Sequence, residues 1–303
     1  MDRNEAERSL KVLNSDIINF IDKTSGSPEF QVLEFLSNQP DTPLPISKTN
    51  NRKFNFSAFN FTENIGEYKW DKENRCFIKI GESEIIIIHL DDCIAPGITF
   101  ILSEYLDGYV SQRKKFPISI TSKIMADNEE IWYLKYKGNL ADAMPESINF
   151  QSGGKEYLME GQLKRSKEDN NGTLDINFNF AFNGNCLINT CFQSTIGYSL
   201  HGYYFKQAEV YQRFSGHFFK GHFDNEKINP TSKNYAASFN RHSKLGLYEQ
   251  NIINGKFKKV GDLVLAETEN QELLDYHIRF ADGKEVLFGN YIAVFDELMN
   301  FKY

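Results

Sequence analysis

This 303-residue chain carries four cysteines, eight prolines and two tryptophans. Cys76, Cys93, Cys186 and Cys191 are too few for a disulfide-dense scaffold. None falls in a C-x-x-C pair, which excludes a compact dithiol or zinc knuckle. They read first as buried free thiols. The rival reading is a bridge between Cys186 and Cys191 across a short hairpin, which requires an oxidising compartment. No run of about 18 apolar residues occurs, so no transmembrane helix is expected. Basic charge is in deficit, with 34 Lys+Arg against 41 Asp+Glu and a net charge of −7. That balance argues against a nucleic-acid partner, and the run Arg113-Lys114-Lys115 reads as a solvated turn. G-x-G-x-x-G, the P-loop pattern and H-E-x-x-H are all missing.

Aromatic residues are abundant. They make up 14% of the chain, with 26 Phe and 15 Tyr, and favour pleated, half-buried surfaces. The clearest stretch is Leu174 to Phe182. Leu174, Ile176, Phe178, Phe180 and Phe182 fall on one side of an extended chain; Asp175, Asn177, Asn179 and Ala181 fall on the other. Period-two alternation of this kind marks a strand with one dry face.

Around that strand the chain reads as two helices followed by a meander. Ala6, Leu10, Leu13, Ile17 and Phe20 make one stripe of a helix over Glu5 to Asp22. Ser27 offers an N-cap and Pro28 a first helical position for a second helix ending near Asn38. Arg52 to Phe61 reads as a strand with a bulge near Ser57 or Ala58. Ile85 to Ile88 has no wet face, so it is expected to be buried on both sides, under the N-terminal helices. Strands are expected at Ile98 to Tyr105, Pro117 to Met125, Glu130 to Lys137, Pro145 to Phe150 and Tyr157 to Arg165. Asn170-Asn171-Gly172 and Asp282-Gly283 read as hairpin turns. Tyr203 to Phe219 reads as strand and Thr231 to Lys244 as helix. Leu247 to Ile253, Lys256 to Val260 and Leu263 to Glu267 read as short strands.

Few residues invite a chemical reading. Gly197-Tyr198-Ser199-Leu200-His201 lacks the second glycine of a nucleophile elbow and reads as a strand start. His217, His222 and Asp224 suggest a metal, but positions 217 and 222 face opposite sides of a strand. Asp91-Asp92 and Glu129-Glu130 are turn charges, and Trp70 and Trp132 fit core packing better than sugar stacking. No catalytic residue, metal ligand, cofactor or defined binding residue follows from the sequence, and the chain reads as non-enzymatic.

The order of motifs carries a resemblance. A helix pair leads into Gly66-Glu67-Tyr68-Lys69-Trp70-Asp71, then Cys76 to Ile80 and Ser83-Glu84-Ile85 with its isoleucine run. Phe116-Pro117-Ile118, Tyr136-Lys137-Gly138-Asn139, Met144-Pro145-Glu146 and Ile278-Arg279-Phe280-Ala281-Asp282-Gly283-Lys284 follow. This order resembles the uncharacterised β-rich outer-membrane lipoproteins of Bacteroidetes-type bacteria. The resemblance implies an exported protein of the periplasm or outer membrane. Its leader would be removed and its lipid anchor lie outside this chain.

The expected fold is mainly β (α+β): a large antiparallel, strongly bent sheet or incompletely closed barrel with two N-terminal helices packed on it. Residues 1–45 form the helical segment and 46–303 the β domain, with a sub-boundary near 195–230. The leading functional expectation is a non-enzymatic envelope protein acting as a binding or interaction module, with an apolar small molecule or an envelope protein as partner. A carrier of a lipid or other apolar ligand is the alternative, with Phe178, Phe180 and Phe182 lining its cavity. A hydrolase or cyclase with a dispersed site is the second.

Overall fold

The computed structural model describes residues 1–39, 41–45, 59–91, 93–111, 114–141, 144–199, 202–228, 234–251, 254–267 and 274–292. Helices α1 (Arg3–Ser25) and α2 (Pro28–Asn38) come first, then a single turn α3 (Phe61–Asn64). Strands β1 (Gly66–Asp71), β2 (Cys76–Gly81), β3 (Ile86–His89), β4 (Ile98–Ser111), β5 (Lys114–Ala126), β6 (Glu129–Ala141), β7 (Met144–Gly154) and β8 (Tyr157–Glu168) follow. Then come β9 (Asn171–Phe182), β10 (Asn185–Ser199), β11 (Gly202–Phe214), β12 (His217–Asp224), helix α4 (Tyr235–His242), β13 (Ser243–Gln250), β14 (Phe257–Glu267), β15 (Leu274–Arg279) and β16 (Glu285–Leu287). A 3-10 turn, Phe288–Asn290, closes the described chain.

The strands hydrogen-bond in the order β2-β1-β3-β4 and then in sequence to β16, so the sheet is not closed on itself. It is mostly antiparallel: β1 with β2, β3 through β7 and β10 through β16 pair antiparallel, whereas β1 runs parallel to β3. The protein is mainly β, as the aromatic alternation predicts. Of the strand expected over Arg52 to Phe61, residues 52–58, including Ser57 and Ala58, lie outside the described residues, and Phe61 opens α3.

The chain divides into two compact units. One comprises residues 22–163 and 180–185. Its buried sheet face is built in rungs: Ile88, Phe100, Ile124, Trp132 and Gly154 are successive partners across β3 to β7. Ile86 and Leu102 share that face. The isoleucine run therefore alternates. Ile86 and Ile88 are fully buried, while Ile85 and Ile87 are half-exposed, so the expectation of burial on both sides is corrected. Helix α2 caps this unit through Val32 and Leu36, both fully buried. Phe35 packs edge-on against Trp70, and Phe30 lies tilted against Tyr157. Tyr157 in turn stacks on Phe180, with ring centroids 5.9 Å apart and planes 9° apart. Trp70 and Trp132 are core residues. Ser27 stands at the N-cap of α2 with extended backbone but makes no side-chain cap bond; Pro28 alone supplies the start signal.

The other unit comprises residues 1–21, 164–179 and 186–303. Here α1 lays its predicted stripe on the sheet. Ala6, Leu10 and Leu13 are buried with Leu247, Val260, Ile278, Phe280 and Phe288, and Phe20 meets Phe214 edge-on at 5.9 Å. Burying Leu10 and Leu13 contributes about 1.5–3 kcal/mol each. The seat of α1 is thus β13 to β15 and the 3-10 turn, not the isoleucine strand for which it was expected.

Candidate functional site

The second face of the β10–β15 sheet, opposite α1, is open and mixes polar with apolar side chains. Period-two alternation puts Phe219, Leu247 and Ile278 under the helix and their sequence neighbours on the far side. One rung there runs Cys191, Tyr211, Lys220, Gly246, Asp262 and Arg279. The next runs Gln193, Glu209, His222 and Lys244. Together they floor a groove of about 590 Å³. It spans six strands, hence five inter-strand spacings or roughly 24 Å.

Two local devices shape the groove. Gly246 leaves its floor bare, and the Tyr248 ring fills that space: a Cβ at Gly246 would lie 2.8 Å from Tyr248 Cε2. The aromatic side chain therefore lies along the strand over the glycine. A register shift opposite Leu247 and Tyr248 adds one residue to β14. That bulge puts Lys259 and Asp262, three apart in sequence, on one face, where they pair at 2.6 Å. At one end, Asn240 of α4 closes an open strand edge. Its side chain donates to the Leu265 carbonyl at 2.7 Å and accepts from the Leu265 N–H at 2.8 Å.

The electrostatics of the groove differ from those of the chain. Four basic side chains line it against two acidic ones, in a protein of net charge −7. Asp262 holds Lys259, and Glu285 holds Arg279 at 2.7 Å. Lys220 and Lys244 stand exposed with no ion pair among the described residues. Burial pushes the Tyr211 hydroxyl above its ordinary value, so it stays a neutral donor.

Behind the sheet, His217 faces α1. Its Nε2 lies 3.0 Å from Ser9 Oγ, and the two residues are 2% and 3% exposed. Serine and histidine at this distance suggest a nucleophile and its base. The rest of the triad is missing: among the described residues Nδ1 of His217 has no hydrogen-bond partner, so no third group orients the ring from that side, although Glu249 is its cross-strand neighbour. Ser9 also sits within α1, where backbone N–H groups are committed to the helix and offer no oxyanion hole. The pair acts as a buried tie between helix and sheet.

Comparison with protein-family models, curated proteins and solved structures finds no match.

The other residues singled out in the sequence scatter. His222 is exposed on the groove face, on the side opposite His217. Asp224 pairs with Lys227 at 2.7 Å, a contact that holds its carboxyl below the usual range. Among the described residues no cluster of His, Cys, Asp or Glu fits a metal ion. Gly197 to Ser199 end β10 rather than begin a strand, and Leu200 and His201 lie outside the described residues. Cys186 is exposed, and Cys186 and Cys191 share β10, so no hairpin bridge joins them. Glu129 binds Lys155 at 2.7 Å as a turn charge; Asp92 lies outside the described residues.

A second place was invisible in the sequence. On the buried face of the α2 unit, Tyr105 Oη, Trp132 Nε1, Tyr136 Oη, Ser152 Oγ and Tyr157 Oη have no hydrogen-bond partner among the described residues. Burial raises all three phenols, to about 12 for Tyr136, so each remains a neutral donor. An unpaired buried polar group costs about 1–3 kcal/mol. Five of them rival the whole stability of a typical domain, about 5–15 kcal/mol. Each position alone reads as an aromatic or small core residue, which is why the pattern does not announce the site.

Proposed function

We propose that this chain is a non-catalytic binding module of the cell envelope, and that the open groove across β10 to β15 is its binding surface. The observation that carries this reading is the pair of exposed lysines, Lys220 and Lys244, which have no ion pair among the described residues and flank Gly246, over which the Tyr248 ring lies. Unmatched cations next to an aromatic on an open face suit a partner carrying negative charge. The absence of a complete acid/base or nucleophile constellation at Ser9 and His217 speaks against the hydrolase alternative. The envelope location rests on the motif order from Gly66 to Lys284. It predicts that fractionated source cells hold the protein in the envelope; recovery in the cytoplasm would remove that part.

A thermal-shift panel of phosphate, citrate, tetragalacturonate and hexaglutamate tests the groove. At least one anion is expected to raise the Tm of the wild type and to leave a Lys220→Ala/Lys244→Ala variant unmoved. Equal shifts in both proteins, or none in either, would overturn the assignment.

A further inference from the structure

We infer that the ligand of the open groove is an acidic oligosaccharide, a chain of sugar rings that carry carboxylates. This rests on the groove across β10 to β15 being the binding surface, and it names the class of molecule that surface takes.

An aromatic platform borders the groove floor. Arg213, Phe218, Tyr248 and Lys259 are successive partners across β11 to β14, in the rung beside that of Tyr211, Lys220 and Gly246. Alternation along β12 puts Phe218 on the face away from α1, with Lys220 and His222. It is only 5% exposed there, because other side chains of the open face cover it. Phe257 meets it edge-on at 4.8 Å, Tyr211 tilts against it at 5.6 Å, and the Arg213 guanidinium stands 5.7 Å from its ring centre. Phe257 itself is 57% exposed. With the Tyr248 ring laid over Gly246, this face offers two aromatic rings, one lining the groove and one bordering it. An exposed aromatic that is anchored on a buried one and set beside unpaired cations has the make-up of a binding surface rather than of a stray surface residue.

Length, charge and rings together select the ligand. The groove draws side chains from six strands, over roughly 24 Å, which is more than one small anion covers. Lys220 and Lys244 are diagonal neighbours across β12 and β13, roughly 7–8 Å apart, and call for negative groups. Glu209, exposed and directly opposite His222, only accepts hydrogen bonds, so it calls for a hydroxyl donor beside them. Tyr248 and Phe257 call for flat or C–H-lined faces. A pyranose ring with a carboxylate brings all three: a charge, hydroxyls on its edge and C–H groups on its face. An acidic peptide has no such rings. Nor can it add to the sheet as a strand, because every floor strand is paired on both sides and Asn240 closes the free backbone at Leu265. A DNA strand has rings to stack, but its phosphates only accept, and they would set charge against Glu209 in a protein of net charge −7.

Isothermal titration calorimetry with tetragalacturonate, its fully methyl-esterified form, hexaglutamate and hexathymidylate separates these cases. Tetragalacturonate should bind the wild type saturably, at least tenfold tighter than each of the other three. Lys220→Ala/Lys244→Ala should abolish that binding. Phe257→Ala should weaken it about tenfold. Phe257→Leu keeps Phe218 covered but removes the flat ring; it should show the same loss and serves if the alanine variant does not fold. Equal binding of the esterified tetramer, or tetragalacturonate binding unchanged in Phe257→Leu, would overturn the assignment. Tighter binding of hexaglutamate or hexathymidylate, lost in the double lysine variant, would overturn the sugar and leave the groove as an anion site. Binding that persists in the double lysine variant would overturn both. Binding of none of the four would overturn the sugar, whether or not phosphate or citrate stabilises the protein.

Discussion

Replacing His217 by glutamine tests the tie between α1 and the sheet. Glutamine places an amide group near the position of Nε2, so the contact to Ser9 Oγ, 3.0 Å in the wild type, is retained without a titrating group. In the folded protein desolvation lowers the His217 value, against the opposing pull of Glu249 and Asp16. Above the ordinary imidazole value of about 6.5, neither the folded nor the unfolded chain holds a proton here. Below it the unfolded chain binds a proton that the folded chain refuses, so stability falls as pH falls, until the folded value is reached. The slope is at most about 1.4 kcal/mol per pH unit for one proton. Between pH 7.5 and 5.5 the wild type should therefore lose up to about 1.4 kcal/mol more than His217→Gln. Carboxylates held low by their partners, such as Asp224, act only below about pH 4, outside this window. Urea denaturation followed by circular dichroism at the two pH values measures the difference. Parallel losses in both proteins would show that His217 is not a buried neutral group and would refute the tie.

Four further outcomes are expected. Ser9→Ala leaves His217 Nε2 buried without a partner and should cost about 1–3 kcal/mol by the same denaturation assay. Phe180→Ala removes a ring 2% exposed and stacked on Tyr157, with an expected loss of about 3–5 kcal/mol; a loss near 1 kcal/mol would mean the ring lines a space rather than a packed core. Asn240→Ala strips both bonds from the Leu265 backbone and should cost about 1–3 kcal/mol, with faster hydrogen exchange at Leu265. Ile88→Asp buries an unpaired charge and should abolish soluble expression, while Ile87→Asp, on the half-exposed face, should remain soluble.

Much of the architecture was legible because single strands and helices advertise their own periods. The α1 stripe of Ala6, Leu10 and Leu13 and the β9 alternation ending in Phe180 both read directly. The turn between β5 and β6 falls between the strands expected at Pro117 to Met125 and Glu130 to Lys137, with Asp127 and Asn128 at positive φ, as a tight hairpin requires. Relations between elements were not legible. The isoleucine run suggested a strand buried on both sides, but its register against Leu102 and Phe100 leaves alternate residues half-exposed. The Asn170-Asn171-Gly172 signal misplaced its turn by one residue: Asp169 takes the positive φ, and Asn171 and Gly172 already belong to β9. β14 read as two short strands because the bulge near Gly261 breaks the period. Thr231 to Lys244 was too long a helix. Only Tyr235–His242 forms it, Ser243 and Lys244 belong to β13, and residues 231–233 lie outside the described residues. Tyr203 to Phe219 spans a hairpin at Ser215 and Gly216 rather than one strand. The groove stayed hidden for a different reason. Its side chains come from six strands, and each alone looks like an ordinary wet position.

The most direct test of the groove is hydrogen–deuterium exchange with and without the anion that stabilises the wild type most in the thermal-shift panel. The account predicts slowed exchange confined to β10 to β15 and α4, abolished in Lys220→Ala/Lys244→Ala. Protection elsewhere, on β4 to β7 for example, or protection that persists in the variant, would contradict it.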